Sequence, residues 1–399
     1  MEFNQAATAV PTTVSGAEGR IAAAQMLPRA GQEVINMSEQ ELTEQERTAV
    51  VASAPVTANL AAGNEIRVPE VRRGKFIKKF DLGGLRDEPV VCFEFWELNI
   101  GMGCPFQCAY CFLQYSPYFR FHPDHLRGVI YDNLDDFDAE ISEWIREHTT
   151  PQSLIVGELQ DGLAFEDAYF ARYGESMATR IYRLFKGSIH TPIFLSKSDN
   201  TKFIEQLEPQ PNFVWSWSIN TETVFREVEV GTAPPQARID AAKRMKALGW
   251  RVRYRISPML PLGDWRAEYM DLFRRMDESN PELVTVNGLL ASKPKAAKAA
   301  AERNGRNGNI FDLLTHFDGA KWRIDPQIHQ EMLTMASQHF GKRAALCKEL
   351  SGTWQSTGTD WNGCHCIADK KGEAIRERFG DIARLKKRDQ LDDLFGGRK

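Results

Sequence analysis

Six short apolar runs, at 90–98, 153–157, 192–196, 213–219, 252–257 and 283–286, alternate with segments of helical periodicity at 134–147, 168–186, 200–207, 235–248, 266–278 and 308–315. A short apolar run buries its side chains as a strand, and a strand that returns to the sheet after a long amphipathic segment does so parallel to the one before. Repeated right-handed βαβ crossovers build one parallel sheet covered by helices. The expected fold is therefore α/β: a partial (β/α)6 TIM-like barrel over 66–315, preceded by an N-terminal extension at 1–65 and followed by a small cysteine-containing C-terminal region at 316–399. In such a sheet the working loops gather at the carboxyl ends of the strands.

The extension is rich in Ala, Thr, Glu and Gln without a two-residue period, which predicts a flexible or loosely helical segment. No apolar run reaches the ~18 residues of a membrane helix, and the N-terminus lacks the basic start and apolar core of a secretory signal, so the expected location is the cytoplasm, with no membrane contact. The formal net charge of −4 supplies no global field for nucleic acid. The basic stretches at 72–79, 251–255 and 293–306 read as solvated faces or strand flanks.

Seven cysteines fall at 92, 104, 108, 111, 347, 364 and 366, in two tight groups, which points to metal binding rather than a disulfide framework. Cys92 sits in an apolar run and reads as core. Cys104, Cys108 and Cys111 share one loop after the first run. Three thiolates there bind three irons of a 4Fe-4S cubane and leave the fourth iron open, the arrangement a substrate-binding cluster needs. Structural zinc uses a closed set of four ligands.

The spacing C-x3-C-x2-C with an aromatic before the third cysteine resembles the radical S-adenosylmethionine superfamily. Further matches narrow the resemblance: Cys111-Phe-Leu-Gln114, Lys197-Ser-Asp199, Trp215-Ser-Trp-Ser-Ile-Asn220, Gly231-Thr-Ala233 with Arg238, and Arg253-Tyr-Arg255-Ile-Ser-Pro258 look like spore photoproduct lyase and its relatives, in family order over about residues 90 to 290. The resemblance implies an open iron that chelates S-adenosylmethionine and cleaves it reductively to a 5'-deoxyadenosyl radical, which abstracts hydrogen from a substrate. It places Tyr110 beside the adenine, brings Lys197 and Ser218 to S-adenosylmethionine, and sets Asn220 near its ribose or carboxylate. Superfamily members often use a Gly and Glu at the second strand end to accept the amino group of S-adenosylmethionine. Glu158, in Gly157-Glu-Leu-Gln-Asp161, is apt for that role, since an ammonium in a dry site requires an acceptor. Tyr110 and Glu158 are the candidate catalytic residues.

One departure matters. Spore photoproduct lyase carries near this strand end a cysteine that returns hydrogen to the substrate radical. Glu158 or a close neighbour takes that place here, and no cysteine occurs between Cys111 and Cys347. The second group, Cys347, Cys364 and Cys366, with His365 and His339 nearby, leaves three readings open: an auxiliary iron–sulfur cluster, zinc, or a thiol positioned as hydrogen donor.

The leading functional expectation is a radical S-adenosylmethionine enzyme acting on a small metabolite or peptide, served by a reducing protein such as flavodoxin or ferredoxin. Two alternatives stand beside it: a DNA photoproduct repair lyase, and a non-catalytic zinc-binding scaffold. The His122-Pro-Asp-His125 pair would offer the scaffold further ligands.

Overall fold

The computed structural model describes residues 67–80, 92, 95–115, 128–359 and 364–366. The expected N-terminal extension and the His122/His125 pair lie outside these residues. Eight strands form one sheet: β1 Ile77–Lys79, β2 Trp96–Leu98, β3 Ser153–Val156, β4 Thr191–Ser196, β5 Val214–Ser218, β6 Arg251–Met259, β7 Leu283–Gly288 and β8 Ala344–Leu346. Their spatial order is their chain order. β1 pairs antiparallel with β2, and β2 through β8 run parallel. A parallel sheet wound in one direction places its crossovers on one face, which yields a partial barrel with an uncovered concave side. Lys78 and Lys79 stand exposed on edge strand β1, where charge deters pairing with another chain.

The crossovers differ in the helix they carry. α1, Leu134–Glu147, buries Leu134, Phe137, Ile141 and Trp144 at helical spacing. The segment expected as one helix over 168–186 is two, α2 Glu166–Tyr173 and α3 Met177–Phe185. Gly174, at φ 72°, ends the first, and the Ser176 hydroxyl caps the second through Thr179 N–H. α4 Glu222–Glu227 and α5 Pro235–Ala247 link β5 to β6, and α6 Trp265–Asp277 links β6 to β7.

Residues 200–207, expected as a helix, form turns. The Ser196 and Ser198 hydroxyls accept the N–H groups of Ser198 and Asn200, so local side-chain bonds compete with a helical start. After β7 come α7 Pro294–Arg303, in the stretch read only as a charged face, and α8 Pro326–Phe340, which leads into β8. β8 pairs with β7 through Val284–Ala344, Thr285–Ala345 and Val286–Leu346, so the sheet gains a parallel strand beyond the six expected. The boundary placed at 315/316 therefore falls within the last βα unit. A short helix α9, Ser351–Ser356, follows.

The two-residue period of the strands assigns the faces. On β5, Trp215 and Trp217 are buried, and Trp215 packs on Phe194 and Trp250. The intervening Ser216 and Ser218 point to the concave side, where small hydroxyl side chains leave room. On β6, Tyr254 reaches Ser279 just past α6, whereas Arg253 and Arg255 turn inward. The inward row continues from Arg255 to Thr285 on β7 and Ala345 on β8, with Asn287 and Cys347 one step nearer the rim. No helix among the described residues is long and apolar enough to cross a membrane.

Candidate active site

At the carboxyl ends of the strands a cavity of about 450 Å³ opens. Its lining joins Cys104, Cys108, Tyr110 and Cys111 of the first cysteine loop to Glu158, Asp161, Lys197 and Ser218, and on the far wall to Arg255, Asn287, Cys347 and Lys348. Residues as far apart in the chain as Cys104 and Lys348 meet here because successive parallel strands end on one side of the sheet.

The cysteine loop is held from two sides. Gln107–Cys108 bridges Glu229–Val230 antiparallel, and Ala109 N–H donates to Val228 O at 2.8 Å. Behind this bridge the Glu229 carboxylate accepts the Tyr110 hydroxyl and, at 2.8 Å, the Arg238 guanidinium. Glu229 and Arg238 are both fully buried. Burial pushes the Glu229 carboxyl up, but Arg238 and Lys197 outweigh it and hold it below the usual range. From the other side, Arg306 donates to Cys108 O at 3.4 Å and to the Gln114 side-chain oxygen Oε1 at 3.2 Å.

Burial pushes the thiols of Cys104, Cys108 and Cys111 up, Cys108 to about 12. A metal group must displace those protons, and its positive charge favours the thiolates. No set of three or more His, Cys, Asp or Glu side chains among the described residues is gathered to hold a single ion. A cubane sets a looser requirement, because each thiolate meets a different iron. Three cysteines on one loop beside an open cavity fit that requirement.

Asp161 organises the end of β4. Its carboxylate accepts Ser196 Oγ–H and Lys197 N–H, each at 2.7 Å, and Leu163 and Ala164 N–H at 2.9 and 3.0 Å. The Lys197 ammonium is thereby aimed at the loop, 5.5 Å from the centre of the Tyr110 ring. Glu158 lies 3.3 Å from Arg255. Burial opposes its charge, yet Arg255 and Lys348 hold the carboxyl below the usual range.

Tyr110, Glu158, Lys197 and Ser218 thus share the cavity, and Asn220 does not. Its amide donates to Pro258 O at 2.8 Å and accepts the Tyr269 hydroxyl at 2.9 Å, so it stands fully buried behind the wall. Cys92, expected in the core, is half-buried. Sequence reasoning missed Glu229 and Arg306 and the linking role of Asp161. A lone carboxylate or guanidinium in a chain with 26% charged residues carries no local signal.

The second cysteine group divides. Cys347 lines the cavity, whereas Cys364 and Cys366 are packed into the core below it. His365 between them is fully buried, with Nδ1 3.3 Å from Ser216 Oγ and its carbonyl accepting Arg253 Nη1 at 3.1 Å. The Cys364-His365-Cys366 turn therefore fills the concave side of the sheet. His339 lies elsewhere, paired with Asp277 at 2.8 Å.

Residues 93–290 match the family model of spore photoproduct lyase. The chain is 21% identical over 185 residues to spore photoproduct lyase of Geobacillus sp. (strain Y412MC61), covering 45% of this chain and 50% of that one. It is 22% identical over 217 residues to that of Bacillus subtilis (strain 168), covering 52% and 60%. The matches thus span about half the length of these curated relatives. Among solved structures, spore photoproduct lyase complexed with dinucleoside spore photoproduct superposes with a TM-score of 0.54 at 17% identity, over 70% of this chain and 81% of that one. The fold, the cysteine loop and the matched segment agree: the chain resembles spore photoproduct lyase, a radical S-adenosylmethionine family.

Proposed function

We propose that this chain is a lyase that holds a 4Fe-4S cluster on Cys104, Cys108 and Cys111, binds S-adenosylmethionine against it, and acts on a pyrimidine photoproduct of nucleic acid. Bound together, the two groups supply a hydrogen-abstracting carbon radical. The residues do the rest. Tyr110, oriented by Glu229, offers its ring to the adenine. Lys197, aimed by Asp161, and Ser218 face the nucleoside end. Glu158 accepts the ammonium while Arg255 keeps it ionised. Asn220 holds the end of β5 to the β6 segment at Pro258.

The observation that carries the reading is the single cavity joining the cysteine loop to a far wall with Arg255, Lys321 and Lys348. Together with Lys197, these cations outnumber Glu158 and Asp161 in the lining, which suits a substrate with a phosphodiester. The dinucleoside photoproduct bound by the structurally similar lyase supports the same substrate class. A small metabolite or peptide is the second reading, favoured by the formal net charge of −4. A small reducing protein such as flavodoxin or ferredoxin supplies the electron, in the reducing cytoplasm that thiolate ligands require.

The test is anaerobic reconstitution, with iron and 5'-deoxyadenosine release measured in wild type and in the Cys104/Cys108/Cys111 triple Ala variant, and binding of duplex oligonucleotides with and without ultraviolet photoproducts. About four irons per chain, lost with cleavage in the variant, and tighter binding of damaged duplex that weakens with salt are expected. Cleavage without affinity for damaged duplex moves the reading to the small substrate. No iron and no cleavage in wild type overturns it.

A further inference from the structure

Lys348, just past β8 and beyond the residues that the family model matches, holds a backbone conformation that lysine disfavours. Its φ is +54°, and among the described residues only Asn280 shares a positive φ without being glycine. Asn visits that region because its short amide bonds locally to the backbone, an option a lysine side chain lacks. The cause lies on either side of Lys348. Cys347 N–H donates to Val286 O at 3.0 Å. Arg323 Nη2 donates to Lys348 O at 3.1 Å, and Arg323 Nη1 donates to the Glu349 carboxylate at 2.7 Å. The same carboxylate accepts Gly288 N–H at 3.3 Å and lies 3.0 Å from His329 Nε2 on α8. Glu349, Arg323 and His329 are all buried. A Cβ at position 288 would come within 2.8 Å of His329 Nε2, so the glycine gives the imidazole its place in the clamp.

Strained residues persist where their surroundings over-determine them, and they gather at ligand clamps. Here the strained residue lines the cavity. β1 and β8 are the two edges of the sheet, and the Lys348 ammonium lies 6.0 Å from the centre of the Phe80 ring just past β1, so it reaches across the seam of the partial barrel. Among the described residues this ammonium forms no hydrogen bond or ion pair. Glu158, the carboxylate facing it across the cavity, is bound to Arg255. Burial opposes the Lys348 charge, but Glu158 and Cys347 outweigh it and hold the group charged. A cation kept charged in a half-dry wall without a partner of its own calls for an anion from the ligand.

We propose that Lys348 binds a phosphate group of the substrate, and that the Glu349–Arg323–His329 clamp positions it by holding its backbone in the left-handed conformation. A lysine ammonium is a point charge with three rotatable donors, suited to the several equivalent oxygens of a phosphate. S-adenosylmethionine has groups of its own in Tyr110, Glu158, Lys197 and Ser218, at the ends of β2 to β5, whereas Lys348 comes from the far edge of the sheet. The inference rests on the substrate reading above only in taking that phosphate to be the bridging phosphodiester of a nucleic-acid photoproduct.

Binding to the reconstituted full chain is measured by titration calorimetry at low salt with three probes: the dinucleoside photoproduct, the same photoproduct with its bridging phosphodiester, and inorganic phosphate. In wild type the phosphodiester is expected to tighten binding roughly tenfold, the worth of one charge-assisted hydrogen bond, and Lys348→Gln should lose that factor while Lys348→Arg keeps part of it. The same factor in wild type and Lys348→Gln, or no phosphate-dependent binding of any probe to wild type, overturns the proposal. A fall in S-adenosylmethionine affinity in Lys348→Gln as large as the phosphate loss assigns the ammonium to the S-adenosylmethionine carboxylate and also overturns it. Affinity for inorganic phosphate that depends on Lys348, without a gain from the phosphodiester, supports the phosphate role and puts the phosphate on a small substrate. If wild type binds neither photoproduct, the proposed substrate fails, and the inorganic phosphate titration alone decides Lys348. The clamp has its own readout. Lys348→Gly is expected to melt higher than Lys348→Ala, because both remove the side chain but only glycine takes a positive φ without strain; equal melting temperatures overturn the positioning role.

Discussion

Arg255 Nη2 lies 3.6 Å from Cys347 Sγ, joining the middle of β6 to the end of β8 on the concave side of the sheet. The same guanidinium reaches Glu158 at the end of β3, so one cation spans the cavity floor between two strand ends that are not neighbours in the sheet. Burial works against this cation, but Cys347, Glu158, Cys366 and Cys364 together hold it charged more firmly than usual.

Removing the guanidinium strands a buried carboxylate. Arg255→Met is expected to destabilise the chain by roughly 3 kcal/mol, the cost of breaking a buried pair from one side. Arg255→Met with Glu158→Gln should recover most of that loss. Urea denaturation of both variants checks it, and equal losses in single and double variants would refute the pairing.

The Glu229–Arg238 pair should matter to iron retention as well as stability, because Glu229 is both bridge residue and acceptor for Tyr110. Arg238→Met is expected to cost roughly 3–5 kcal/mol and to lower iron retained after desalting. Tyr110→Phe, which removes only one hydroxyl, should keep its iron.

Gly157 sits at φ +115°, and a Cβ there would lie 2.3 Å from Leu195 O. Neither the backbone conformation nor the space admits a side chain. Gly157→Ala is expected to displace the β3 end that carries Glu158, measured as a lowered melting temperature and loss of S-adenosylmethionine binding.

Glu166 at the start of α2 is fully buried, and burial pushes its carboxyl up to about 8 against the hydrogen bonds of Ser176 and Ala178. Its folded value exceeds its unfolded one, so its contribution is full below the unfolded value near 4.5 and is lost as pH rises towards 8. Glu166→Gln should match wild type at pH 4.5 and become relatively more stable with rising pH, by roughly 1.4 kcal/mol per unit across that window. Chemical denaturation across pH 4.5 to 9 measures it.

A stability test of the fold itself falls on Trp215, fully buried against Phe194 and Trp250. Trp215→Ala is expected to cost roughly 3–5 kcal/mol in urea denaturation.

The alternation of apolar runs and amphipathic segments, and the spacing of Cys104, Cys108 and Cys111, are local patterns. They were enough to determine a parallel sheet with the cysteine loop at its carboxyl edge. Strand and helix periods depend on neighbours in the chain, and loops at strand ends follow from the direction of the strands. Trp215-Ser-Trp-Ser218 even carries its faces in its own two-residue period.

Tertiary structure alone decided which distant groups meet. It set Cys347 on the cavity wall, packed Cys364-His365-Cys366 into the concave side, turned Asn220 behind the wall and joined Glu229 to Arg238. Each of these depends on register between strands or on how a tail packs over 100 residues from its contact, as His365 does on Ser216. No short window of sequence carries that information, because the energy that selects the contact is the burial of both partners at once.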